Sequence, residues 1–164
     1  MISEKLLNEI DRGRLGLNHG ISMKLPKLEG IIDGVTRETY TLILSNSGAG
    51  KTSFALYAYV YRPLMEHLDD DDFKVLYFSL EMGEVALYIK LLSIYIFETY
   101  GVQLSFKKIL SREKEYILSE EHYDLVKQCM PWIDKISKKL EIFDKKVTCL
   151  LYTSPSPRDM RRSR

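Results

Sequence analysis

Leu44 to Ser53 reads LSNSGAGKTS, and the placement of this stretch decides what the rest of the chain must be. Against the phosphate-loop pattern G-x-x-x-x-G-K-[ST], Gly50, Lys51 and Thr52 take the second glycine, the lysine and the hydroxyl, while Ser45 stands where the pattern opens with glycine. The chemistry leans on these positions unequally. Gly48 and Gly50 let backbone N–H groups wrap phosphates that side chains would obstruct. Lys51 brings charge to the β and γ phosphates, and Thr52 offers its hydroxyl to Mg²⁺. Ser45 sits at the exit of an apolar run, where glycine mainly eases the turn. The expected ATP-binding set is therefore Asn46, Ser47, Gly48, Ala49, Gly50, Lys51, Thr52 and Ser53, with Thr52 as the Mg²⁺ ligand.

The context is the one the pattern demands. Tyr40 to Ser45, YTLILS, is a short apolar run that predicts a strand, and Lys51 to about His67 places Phe54, Ala55, Ala58 and Leu64 on one face of a helix. The helix start adds N–H groups and a dipole that favour an anion. Further on, Phe73 to Ser79 (FKVLYFS) predicts a second strand and Leu140 to Lys145 (LEIFDK) a third. Between them lie a helix over 84–100 stopped by Gly101, helices capped by Ser105 and Ser119, and Pro131, which breaks or kinks the last of these. The 84–100 helix is apolar almost all round, which predicts burial. Upstream, Leu6, Leu7 and Ile10 follow Ser3 at the spacing of a short amphipathic helix, and Leu28, Ile31 and Ile32 suggest another before Gly34. Strands separated by crossovers of this length pair in parallel, so the expected fold is an α/β parallel sheet with helices on both faces.

The whole chain is 164 residues, 45% apolar and 29% charged, which fits one soluble core and points to a cytoplasmic protein with no membrane span. Its two cysteines, Cys129 and Cys149, and its three scattered histidines have no metal-ligand spacing. The acidic run Asp69 to Asp72 reads as a solvated loop rather than a metal cage. The last residues change character: Cys149 to Asp159, CLLYTSPSPRD, look like one reading frame of a transposase adapter used in sequencing libraries, matched at every residue. On that resemblance the natural sequence ends at about Thr148. Residues 149–164 hold four of the 24 basic residues and one of the 23 acidic ones, which leaves 20 against 22 and a net charge of −2 for the rest. The overall charge of +1 is thus no argument for nucleic-acid binding.

Val75 to Gly83, VLYFSLEMG, adds a strand ending in a carboxylate. Glu81 would reach the carboxyl edge of the sheet, beside the loop if the strands at 40–45 and 73–79 are neighbours, and there could activate a water for ATP hydrolysis. A surface carboxylate, or a charge at a helix N-terminus, is the equally simple reading of Glu81 from the residues alone. Asp144, ending the third strand, approaches the same edge and is a weaker candidate.

The run GISMKLPKLEGIIDG, then YTLILSNSGAGKTSFAL, then KVLYFSLEM resembles the RecA-type ATPase domain of DnaB-like replicative DNA helicases, phage-encoded versions included. The resemblance covers most of Gly20 to Met82 and, more loosely, the chain to Thr148; FSLEM is its discriminating piece. It implies a RecA-like P-loop fold, of which this chain would hold only the front half, over 20–148. It implies that Glu81 is the base, that Gly48, Gly50, Lys51 and Thr52 contact phosphate and Mg²⁺, and that the parent protein is a homo-hexamer moving on single-stranded DNA, with a primase as a further partner. Residues 1–19 would be a linker helix docking on the next subunit. Ser45 departs from the family's glycine. The family's arginine finger, later metal-site aspartate and DNA-contacting loops would all lie downstream, so the chain alone is expected to be nearly inactive. Other readings are a recombinase-like or clock-like ATPase of the same superfamily, and a non-catalytic nucleotide-binding module that governs assembly.

Overall fold

The structure, a computed structural model, describes residues 2–36, 38–111 and 114–144. The adapter-like tail therefore lies outside the described residues, as does the end of the predicted third strand. In order, the elements are α1 (Ile2–Arg14), α2 (Pro26–Glu29), α3 (Lys51–Ala55), a π-helical segment (Leu56–Tyr61), α4 (Arg62–Glu66), β1 (Val75–Phe78), α5 (Glu84–Tyr100), α6 (Phe106–Ile109), a 3₁₀ turn (Lys114–Tyr116), α7 (Glu120–Gln128), α8 (Met130–Ser137) and β2 (Leu140–Phe143).

The expected doubly covered parallel sheet is not what forms. Among the described residues the sheet has two strands, β1 and β2, paired in parallel from Val75 opposite Leu140 to Phe78 opposite Phe143. Apart from one isolated antiparallel bridge between Ile21 and Val35, every other regular element among the described residues is helical, and no RecA-like sheet is present among them. Two findings overturn the expectation. Among the described residues Tyr40 to Ser45 has no ladder partner, and its alternate residues Tyr40, Leu42 and Leu44 stand 87%, 63% and 79% exposed. Helices cover one sheet face only: Val75, Tyr77, Leu140 and Ile142 belong to the core, while Leu76 and Phe78 on the other face are 57% and 69% exposed. The apolar alternation of 40–45 sets which side chains share a face, but a strand also needs a neighbour for its N–H and C=O groups, and the described residues supply none.

Local signals act as their chemistry requires. Ser105 Oγ accepts the N–H of Lys108 at 3.3 Å, and Ser119 Oγ accepts that of His122 at 3.4 Å, each satisfying an orphan donor of the first turn. Gly101 ends α5 in the left-handed region at φ 68°. Pro131 sits in the first turn of α8 and splits the predicted long helix at Cys129. Ser3, by contrast, lies inside α1, which begins at Ile2. Ser119→Ala is expected to cost about 1 kcal/mol, read as a lower urea midpoint with an unchanged slope.

The core lies where the helix after the loop, α5 and α8 meet the inner sheet face. Leu56, Val60, Tyr61 and Leu64 pack against Leu87, Leu91, Trp132, Ile136 and Leu140. A second cluster of Leu92, Ile96, Leu104 and Cys129 continues it, joined through Tyr95 and Ile133. Only one side of α5 takes part: Leu87, Leu91, Leu92 and Ile96 are buried, whereas Val85 and Phe97 are exposed, so its all-round apolar character overstates its burial. α1 has no buried residue. The acidic run is neither a cage nor merely solvated: Lys135 Nζ meets Asp69 Oδ1 at 2.7 Å and the buried Lys139 donates to Asp70 O, tying this loop to the end of α8.

Candidate functional site

The phosphate-loop residues are together at the surface. Gly48 has φ 79° and Gly50 φ 89°, and nothing lies within 4 Å of where a Cβ would stand on either. Glycine is needed here for the left-handed backbone, since space is open. Ala49 N–H turns inward onto Asn46 O at 3.3 Å. The Lys51 ammonium folds back across the loop and donates to Ser45 O at 2.8 Å and Asn46 O at 2.9 Å. Thus Ser45 takes part through its carbonyl, which any residue would supply, and its backbone is not in the left-handed region that would call for glycine. Thr52 is half-buried in the first turn of α3, and Ser53 is exposed beside it. Where α3 passes into the π-helical segment, Ala55 and Tyr59 face Val35, Thr39, Thr41 and Ile43 across a cavity of about 200 Å³.

Glu81 is elsewhere. It is exposed in the turn after β1, close enough to Tyr77 that its charge helps burial raise that phenol above its usual range. Among the described residues no hydrogen bond or ion pair joins Glu81 to residues 45–53. The expected juxtaposition depended on 40–45 lying next to β1, and that pairing is not made.

Asp144 reaches the same sheet edge but is engaged: its Oδ2 accepts the N–H of Glu84 at 2.9 Å, at the start of α5. Ser79, which the sequence reading passed over, is buried, and its hydroxyl accepts the N–H of Met82 at 3.1 Å. One signal was available for Asp144. Gly83 occupies the cap position of a 17-residue helix and has no side-chain oxygen, which leaves the first-turn N–H groups open to water or to an acceptor from another segment.

No group of three or more His, Cys, Asp or Glu side chains placed to hold a metal occurs among the described residues. Also among the described residues, no helix is long and apolar enough to cross a membrane. No protein-family model, curated protein or solved structure matches the chain.

Proposed function

We propose that the chain binds MgATP through Asn46 to Ser53 and is the ATP-binding front part of a DnaB-like replicative DNA helicase. The parent protein would couple ATP hydrolysis to movement along single-stranded DNA and duplex unwinding, as a homo-hexamer that also meets a primase. The observation that carries nucleotide binding is the Lys51 ammonium resting on the carbonyls of Ser45 and Asn46, in a loop with two left-handed glycines. A polyphosphate offers that ammonium stronger, charged acceptors than two carbonyls. MgATP supplies the anhydride bond to be broken and its own cation. The loop grips the phosphates, Lys51 takes up their charge, and Thr52 orients the cation. Support for the helicase comes from the sequence FSLEM, which puts Glu81 on an exposed turn at the carboxyl end of β1.

The binding claim is tested by titrating a fluorescent ATP analogue with Mg²⁺ present. Lys51→Ala is expected to weaken binding by about 10- to 100-fold, the worth of a hydrogen bond to a charged group. An unchanged affinity would dismiss the loop as the binding site. A second reading, a non-catalytic module whose ATP-bound state governs assembly, is favoured by one finding: residues 40–45 do not pair with β1, and among the described residues no hydrogen bond or ion pair joins Glu81 to the loop.

A further inference from the structure

The turn between β1 and α5 is held at both ends by groups distant in sequence. At its start, Ser79 N–H donates to Phe143 O at 2.9 Å, and the Ser79 hydroxyl takes the N–H of Met82 at 3.1 Å. At its end, Gly83 adopts the extended backbone of a cap residue, φ −69° and ψ 158°, with no side chain to close the first turn of α5. The acceptor comes from the end of β2: Asp144 Oδ2 takes the N–H of Glu84 at 2.9 Å. A carboxylate suits this place because the bond is charge-assisted and because the start of a long helix carries partial positive charge. Between these anchors only Leu80 and Glu81 are directed outward, both exposed, while Met82 packs against the core.

We propose that Asp144 is a positioning residue for Glu81: by capping α5 it fixes the Ser79–Glu84 turn in the conformation that presents the Glu81 carboxylate. This rests on the reading of Glu81 as the group that orients and deprotonates the attacking water. Asp144 touches neither substrate nor water in that step and acts through the backbone alone. Its bond to Glu84 joins the two segments, β2 and α5, whose relative placement sets where the turn points.

The test uses the whole chain carrying Asp144→Ala or Asp144→Asn. In Asp144→Ala, amide exchange at Glu84 is expected to rise about tenfold or more. Backbone order parameters at Leu80, Glu81 and Met82 should fall from about 0.85 to below about 0.6. Asp144→Asn, whose side-chain oxygen still accepts, should keep both near their starting values. Turnover of MgATP should drop about tenfold in Asp144→Ala with KM unchanged within roughly twofold, since Asp144 makes no contact with the loop. With Glu81→Gln already in place, the same change should lower turnover no further. Unchanged order parameters in Asp144→Ala, or a further loss of turnover on top of Glu81→Gln, would overturn the proposal. Should Glu81→Gln leave turnover intact, Glu81 is not the base and the positioning role falls with it, whereas the order parameters would still report whether Asp144 holds the turn.

Discussion

Glu81→Gln is expected to lower MgATP turnover by about a hundredfold or more while leaving MgATP binding unchanged. The substitution keeps the size and one acceptor oxygen of the side chain and removes its ability to take a proton from water. Binding should survive because Glu81 makes no hydrogen bond or ion pair with Asn46 to Ser53 among the described residues, and because the turn that carries it is anchored by Ser79 and Asp144 rather than by the loop. The measurement is phosphate release at saturating MgATP with single-stranded DNA present, beside titration of a fluorescent ATP analogue. An arginine supplied by a neighbour is worth about 10³ to 10⁵ in rate in related phosphoryl transfers, so turnover by this chain is followed over hours. A variant as fast as the parent would remove Glu81 from the chemistry and leave the non-catalytic module as the better reading.

Trp132→Ala is expected to be the most damaging single change to stability, at about 3 to 5 kcal/mol. A domain of this size has roughly 5 to 15 kcal/mol in total, so much of the folded population would be lost under mild denaturant. Trp132 is 8% exposed and stacks on Tyr95 with ring centroids 4.0 Å apart and planes at 6°, while Tyr61 leans on it at 6.2 Å. Those partners come from α5 and from the π-helical segment, so the indole joins three helical segments at once. Its ring N–H is buried and makes no hydrogen bond. Phenylalanine leaves a smaller cavity than alanine and discards that orphan donor, so Trp132→Phe should recover most of the loss. Urea melts followed by circular dichroism at 222 nm check both, because the chain's single tryptophan is the residue removed. A midpoint unmoved by Trp132→Ala would show that the helices are held together by something other than this contact.

How far the chain could be read in advance depended on how far each signal has to act. Ser105, Ser119, Gly101 and Pro131 work within a turn of themselves, and each placed a helix boundary correctly. The left-handed glycines at 48 and 50 and the fold-back of Lys51 are local in the same way, since they act on backbone a few residues away. Pairing acts over the whole chain. YTLILS carries the apolar alternation of a strand, yet nothing in those six residues says whether a neighbour exists, and the doubly covered sheet built on it failed at that point. The position of Glu81 relative to the loop failed with it. Asp144 shows the remaining difficulty: a carboxylate at the end of a strand reads equally as chemistry or as a cap, and only the position of the Glu84 amide decides.

The tie between Asp144 and Glu84 spans 60 residues, and the ladder of β1 with β2 spans a similar stretch. Closing a loop of that length costs entropy before any contact returns it, which makes such pairings late events in folding. During synthesis, β1 and the start of α5 emerge long before the strand and the carboxylate that complete them. Until residue 144 clears the ribosome, the apolar segment Val75–Phe78 has no ladder and α5 has no cap from Asp144, so a nascent chain stalled short of β2 is the species most exposed to chaperones and to aggregation.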